Sequence, residues 1–78
     1  MEPFVADSAR KHQVPDADIL HAFNHLLYVI ADPNDDEVTM IVGPDRAATL
    51  IEVGIVDSDR GPVIIHAFRP ARDKYLPR

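Results

Sequence analysis

Residues 49–68 read TLIEVGIVDSDRGPVIIHAF, and this stretch predicts a β-hairpin. Two runs rich in β-branched residues, 49–56 and 63–68, lie on either side of polar and glycine residues that suit a tight loop. Two further apolar runs, 28–31 and 38–42, come before them, with turn residues between. The connections are short, and parallel strands need crossovers of a dozen residues or more, so neighbouring strands are expected to be antiparallel. The sequence therefore predicts a four-stranded antiparallel meander.

Two helices are predicted ahead of the sheet. Residues 4–12 form a weak helical pattern whose basic end suits the negative pole of a helix dipole. Residues 17–27 form a stronger one, with apolar side chains three and four positions apart and Asp16 as the N-cap. The predicted fold class is α+β: two N-terminal helices packed on a four-stranded antiparallel β-sheet meander, with a short C-terminal tail. Residues 1–78 are predicted to form a single domain.

The alternation of side chains along the third predicted strand indicates which face of the sheet is buried. Ile51, Val53 and Ile55 form the more apolar set and are expected to contact the helices. The opposite face is expected to be open unless a partner covers it. For His66, two positions remain open, beside Glu52 or in the core, because a register slip of one residue exchanges the faces.

Composition narrows the classes of function. The net charge of -5 argues against generic nucleic-acid binding, which uses clusters of Lys and Arg. Cysteine is absent, so neither a disulfide framework nor a thiolate metal site is expected. No apolar run reaches membrane-spanning length and the first residues lack the basic region of a secretion signal, so we expect a cytoplasmic protein without a membrane partner. The small core is expected to gain stability from a homodimer or another partner.

Charge is distributed unevenly along the chain. Residues 32–37 carry four carboxylates, whereas residues 69–78 carry four cationic side chains and one Asp. The last predicted strand thus runs into an imidazole, guanidiniums, an ammonium group and a phenol at one edge of the sheet. This edge is the expected place for a polyanion to bind.

Two histidines on the second predicted helix have the spacing of a metal-binding pair. His21 and His25 lie one helical turn apart. The pattern supplies neither a third ligand nor a glutamate between them, so a solvated helix face is the expected role. No metal and no cofactor are predicted.

Three segments carry a resemblance to a known family. Residues 10–14, RKHQV, are similar to a segment in which a basic residue and His precede Gly-Val, with Gln13 at the glycine position. Residues 16–23 match a second helix, and residues 65–69, IHAFR, are similar to a motif that ends a last strand, with the arginine one place late. Together they resemble the BrnT family of bacterial toxins, within the wider RelE/ParE-like ribonuclease group. The family's first short strand has no predicted counterpart, and its C-terminal helix is reduced to residues 71–75.

The resemblance implies the toxin of a type II toxin–antitoxin module that cleaves RNA without a metal ion. A base removes the proton of a ribose 2′-hydroxyl, the oxygen attacks the adjacent phosphorus, and an acid protonates the leaving 5′-oxygen. The expected acid, base and assisting residues are His12, His66, Lys11 and Tyr75. The residues expected to bind RNA phosphate are Arg69, Arg72, Lys74 and Arg46. The implied partners are RNA and an antitoxin protein of the ribbon-helix-helix type.

Each candidate residue also has a structural interpretation. His66 is equally expected to be a half-buried histidine bonded to backbone, and His12 to compensate a helix dipole. Arg69 and Arg72 have a second interpretation as salt-bridge partners of the acidic loop, and Tyr75 as an anchor of the tail. The alternative function is a non-catalytic interaction module on the same fold, binding a partner or itself through the open sheet face.

Overall fold

The structure is a computed structural model that describes residues 2–32 and 34–76. The strands are β1 (Phe4–Val5), β2 (Tyr28–Ala31), β3 (Thr39–Pro44), β4 (Leu50–Ser58) and β5 (Gly61–Phe68). The helices are α1 (Asp16–Asn24) and two 3₁₀ segments, Asp7–Arg10 and Asp73–Tyr75. The sheet order is β1-β5-β4-β3-β2, with β1 parallel to β5 and the other neighbours antiparallel. No helix in the described residues is long and apolar enough to cross a membrane.

The predicted fold class is wrong, because the described chain has one α-helix and a five-stranded mixed sheet rather than two helices and a four-stranded antiparallel sheet. The predicted helix over residues 4–12 is instead strand β1 followed by a 3₁₀ segment. Strand β1 pairs with Val63 and Ile64, and the Ala6 N–H donates to the Ile64 carbonyl at 2.9 Å. The aromatic and β-branched residues of β1 suit a pleated sheet, so pairing outweighs a weak helical pattern. Gln13 then adopts a positive φ of 63°. This value lies outside the right-handed helical region, so a helix cannot continue through Gln13.

Helix α1 is shorter than predicted. It begins at Asp16 and ends at Asn24, whereas the pattern extended to Leu27. Its N-cap is Pro15, which provides no side-chain cap, rather than the predicted Asp16. The carboxylate of Asp16 instead forms an ion pair with Arg10 at 2.8 Å, which ties the 3₁₀ segment to the start of the helix.

The first core lies between α1 and the sheet. Ile51 and Val53 of β4 are buried there with Ile19 and Ala22 of α1, and Ile55 packs against them. The prediction that Ile51, Val53 and Ile55 lie on the helix side of this strand is therefore confirmed. Burial of these aliphatic side chains provides the main driving force for packing the helix on the sheet.

Gly43 on β3 sets how closely α1 approaches the sheet. A Cβ atom at this position would overlap the backbone carbonyl of Ala22. We expect Gly43→Ala to lower the free energy of unfolding by about 2 kcal/mol, because helix α1 and strand β3 must move apart to make room for the methyl group. Urea unfolding measures the loss. In the comparison variant Gly54→Ala, the new Cβ meets side-chain atoms of His66 and Met40 at 3.0 and 3.2 Å, so a larger loss there would contradict this explanation.

The C-terminal segment covers part of the opposite sheet face. Ala71 and Tyr75 are buried against Met40 and Val42 of β3 in a second core. The Ala71 N–H also donates to the Leu50 carbonyl at 2.8 Å. The expectation that this face stays open without a partner is therefore wrong here, because the chain covers it with its own tail.

Candidate functional site

A β-bulge between β4 and β5 decides which face of the sheet carries His66. Ile64 and His66 pair with adjacent residues of β4, so Ile65 is an extra residue on β5. Ile64 consequently lies in the core beside α1, whereas His66 turns to the opposite face and contacts Glu52. Of the two positions that the sequence leaves open, the one beside Glu52 is observed.

Glu52 on β4 organises the surrounding side chains. Its side chain is fully buried, and Nε2 of His66 donates to its Oε2 atom at 2.9 Å. Arg72 donates its backbone N–H and its Nε to Oε1 at 2.8 and 3.0 Å, and its Nη2 to Oε2 at 2.7 Å. Such charge-assisted, two-pronged bonding holds both partners in a defined orientation.

The environment of Glu52 keeps it ionised. Burial by itself would raise the pKa of this carboxyl, but hydrogen bonds from Arg72 and His66 outweigh burial and lower the pKa below its ordinary value. The hydrogen bond to Glu52 in turn raises the pKa of the Arg72 guanidinium. The imidazole of His66 therefore contacts a carboxylate whose charge Arg72 already balances.

His12 reaches the same place from the N-terminal part of the chain. Its ring lies edge-on to the Phe68 ring, with centroids 4.9 Å apart, and to the His66 ring, with centroids 5.7 Å apart. The Arg72 guanidinium lies 5.2 Å from the Phe68 ring centre. Because β1 pairs with the first half of β5, the second half is left beside the turn that carries His12.

A groove of about 230 Å³ opens beside the His66 ring. The groove is lined by Asp32, Val38, Met40, Ile65, His66, Arg72 and Tyr75. The His66 side chain is 27% exposed, so its ring is reachable from solvent. The groove thus places an imidazole and a guanidinium at the mouth of one depression.

The remaining candidates of this end of the sheet differ in exposure. Lys11 and Lys74 are exposed, and the Lys74 Nζ lies 5.0 Å from the Tyr75 ring centre. Tyr75 is only 5% exposed and packs in the second core. The contacts of Tyr75 fit the anchoring interpretation, and the two lysines are exposed surface charges.

Arg46 and Arg69 are engaged in an ion-pair cluster with two nearly buried carboxylates. Arg69 contacts Asp18 through Nη2 at 2.6 Å and Asp45 through Nε at 3.0 Å, and Arg46 contacts Asp18 through Nε at 2.7 Å. Two carboxylates thus balance two guanidiniums and link α1, the β3–β4 turn and the end of β5. The salt-bridge interpretation of Arg69 fits, although its partners are not those of the acidic loop.

The Asp18 carboxyl has a pKa well below its ordinary value. The hydrogen bond from the Arg46 side chain, with further bonds from the Arg46 backbone and Arg69, lowers the pKa of Asp18 from 3.8 to about 2. Because the folded-state pKa lies below the unfolded one, the stabilisation is complete above about pH 4 and is lost as the pH falls toward 2.

We expect Asp18→Asn to lower the free energy of unfolding at neutral pH by about 1 kcal/mol, because it removes the charge that pairs with Arg46 and Arg69. The loss is no larger because both arginines are partly exposed and solvent screens their charges. The difference from wild type should shrink as the pH falls from about 4 to about 2. Thermal unfolding across this range measures it, with Asp59→Asn in the exposed hairpin loop as the control. A difference that stays constant down to about pH 2 would contradict the assignment.

The second pair of histidines does not belong to this site. The rings of His21 and His25 lie 4.4 Å apart, and Nδ1 of His21 donates to the Pro44 carbonyl at 2.8 Å. Within residues 2–32 and 34–76, no group of three or more His, Cys, Asp or Glu side chains could hold a metal ion. His21 therefore joins α1 to the end of β3, whereas His25 is exposed.

The structure brings together four of the predicted residues and separates two others. His66, Arg72 and Tyr75 line the groove and His12 contacts His66, whereas Arg46 and Arg69 pair with Asp18 and Asp45. Sequence reasoning missed the organising role of Glu52. A single carboxylate within an apolar strand was the available signal, because a buried charge requires a partner.

No family model, curated protein or solved structure matches this chain. The resemblance to the BrnT family therefore depends on the three segments described above and stays a prediction.

Proposed function

We propose that this chain is a cytoplasmic, metal-independent endoribonuclease, the toxin of a type II toxin–antitoxin module. The observation that carries the proposal is the meeting of His12 and His66, from distant parts of the sequence, with ring centroids 5.7 Å apart beside a groove. Cleavage of RNA by acid–base catalysis requires two groups that titrate near neutrality and reach one phosphodiester. Two of the three segments that resemble the family supply one imidazole each.

His66 acts as the base in the proposed reaction. Its Nε2 donates to Glu52, so its Nδ1 carries the lone pair that takes the proton of the ribose 2′-hydroxyl. The 2′-oxygen bonds to phosphorus while the bond from phosphorus to the 5′-oxygen breaks. Protonated His12 gives its proton to that 5′-oxygen. The products are a 2′,3′-cyclic phosphate and a 5′-hydroxyl.

Arg72 supplies the fixed positive charge in this scheme. Its bonds to Glu52 use Nε and Nη2, which leaves Nη1 to face a phosphoryl oxygen, and its side chain is 46% exposed. Lys11 and Lys74 add positive charge at the surface. Charge that develops in the transition state is thus met by a donor already held in place, which is the efficient arrangement for such stabilisation.

The chain also has a short first strand, β1, that pairs with β5. The BrnT family has such a strand, so this element supports the proposed relationship. The partner proposed with it is an antitoxin protein of the ribbon-helix-helix type.

A non-catalytic interaction module on the same fold is the second candidate. The observation in its favour is the internal balance of charge: Arg46, Arg69 and Arg72 all form ion pairs with carboxylates of the chain. An acidic protein with its arginines so engaged attracts RNA weakly. In this alternative the chain binds a partner, or itself, without chemistry.

Expression in bacteria separates the two candidates. Induction of the wild type is expected to stop growth and to fragment cellular RNA, whereas the double variant His12→Ala/His66→Ala is expected to do neither. His25→Ala, a surface histidine away from the groove, serves as the matched control and should remain toxic. Equal growth of all three strains, at equal protein levels, would favour the interaction module.

A further inference from the structure

Strand β2 forms an edge of the sheet and presents apolar side chains to solvent. Leu27 is 57% exposed and Val29 is 62% exposed, while Leu26 and Tyr28 beside them are also exposed. Helix α1 packs mainly over β3 and β4. Exposed apolar residues on a sheet edge are a known liability, which proteins retain chiefly where another chain binds.

The backbone of this edge is available for pairing. The Asp32 N–H donates to the Val38 carbonyl of the neighbouring segment at 3.2 Å. The backbone N–H and C=O groups of successive residues point to alternate sides of an antiparallel strand. Those of Tyr28 and Ile30 therefore point toward β3, and those of Val29 and Ala31 point outward. In the described parts of the chain, β3 is the sole strand beside β2.

Charge distinguishes the possible occupants of the edge. The loop after β2 carries Asp32, Asp35, Asp36 and Glu37, and backbone N–H groups donate to the Asp32 and Asp35 side chains at 2.8 and 2.9 Å. A second copy would bring the same acidic loop and a net charge of -5 to the interface. A segment with Lys or Arg beside that loop has the complementary charge.

We propose that the β2 edge binds an extended, basic segment of a partner protein, which adds a sixth strand to the sheet. In an antiparallel arrangement, Lys and Arg precede the apolar residues of the segment, so that they lie against the acidic loop. Apolar side chains of the segment contact Val29 on one face. Other apolar side chains of the segment enter a groove of about 410 Å³ lined by Leu27, Tyr28, Val29, Ile30 and Leu76.

The β2 edge lies on the side of the sheet opposite β5, which carries His66. The inference therefore goes beyond the proposed ribonuclease activity and does not depend on it. Asp32 of the acidic loop also lines the groove beside His66, so binding at β2 and chemistry at His66 are separated by variants at positions that belong to only one of the two sites.

A labelled synthetic peptide of sequence KRKVTVTVT tests the proposal with the full chain. We expect fluorescence anisotropy to show binding at least about tenfold tighter than for EEEVTVTVT, a difference of about 1.4 kcal/mol. The same basic peptide with N-methylated valines, which cannot pair as a strand, should bind at least about tenfold more weakly. Bound peptide should slow amide exchange at Val29 and Ala31.

Two variants at exposed positions provide the matched protein controls. Val29→Lys and Asp35→Lys/Asp36→Lys should each weaken binding of the basic peptide about tenfold or more, while His12→Ala/His66→Ala binds it as wild type does. Equal binding of the basic and acidic peptides, binding unaffected by N-methylation or absence of binding would overturn the proposal. A dimer of the chain that Val29→Lys dissociates would overturn it as well, because the edge would then belong to a second copy.

Discussion

Glu52→Ala is expected to lower the free energy of unfolding by about 3 kcal/mol. The substitution removes a fully buried carboxylate and with it the hydrogen bonds from His66 and Arg72 that join β4, β5 and the C-terminal tail. A domain of this length has a total stability of about 4–12 kcal/mol, so the loss is a large fraction of it. Urea unfolding followed by circular dichroism measures the change.

Two further variants separate the contributions at this position. Glu52→Gln keeps the shape of the side chain and one acceptor oxygen, so we expect a smaller loss than for alanine. Glu37→Ala removes an exposed carboxylate and should change stability by no more than about 0.5 kcal/mol. If Glu52→Ala cost no more than Glu37→Ala, the buried cluster would contribute nothing to the fold.

His66→Ala is expected to reduce the rate of RNA cleavage about 100-fold or more, because a positioned general base contributes about 10²–10⁴ in rate. His12→Ala should cost a similar factor through loss of the acid. The double variant should be little worse than either single one, since the two imidazoles act in one step of the proposed reaction. Single-turnover cleavage of a labelled RNA measures all three rates.

The controls for these rates are a variant and a structural readout. His25→Ala, on the surface beside α1, should cleave at the wild-type rate. Circular dichroism and thermal unfolding should show that each histidine variant is folded. A folded His66→Ala protein that cleaves as fast as wild type would remove His66 from the reaction.

Much of the sheet could be predicted from local sequence. Strands β2 to β5 were expected as four β-branched runs with short connections, and their antiparallel pairing is observed. The alternation along β4 also placed Ile51, Val53 and Ile55 against the helix. These features depend on residues that are close in sequence, so they can be predicted from the sequence alone.

The first strand could not be predicted in the same way. Its two residues pair with Val63 and Ile64, 59 positions further along the chain, and two residues give no periodicity to recognise. The local pattern of residues 4–12 therefore predicts a weak helix. Long-range pairing, rather than local preference, decided this segment.

The position of His66 depends on the bulge. Alternation along β5 would put His66 on the same face as Ile64, and the extra residue Ile65 places them on opposite faces. A bulge adds one residue to one strand only, and nothing in the hairpin sequence marks its place. The contact between His66 and Glu52 was thus one of two possibilities until the register was known.

The candidate site was predicted in part for similar reasons. The residue types at the end of β5 indicated an anion site. The arginines there pair with carboxylates that are distant in sequence, and the sequence does not reveal these pairs. Asp18 and Asp45, from α1 and the β3–β4 turn, engage Arg69 and Arg46, while Glu52 takes Arg72. Charge counted along the sequence overestimated the positive potential of this edge.

The most direct test of the proposed function uses purified protein and labelled RNA under two conditions, in EDTA without ribosomes and in magnesium buffer with added ribosomes. We predict that wild-type protein cleaves the RNA in EDTA and leaves 2′,3′-cyclic phosphate and 5′-hydroxyl ends. A 2′-deoxy substitution at the cleaved position should block the reaction. The double variant His12→Ala/His66→Ala should be inactive. Intact RNA under both conditions, or equal cleavage by the double variant, would contradict the proposal that the two imidazoles form a ribonuclease site.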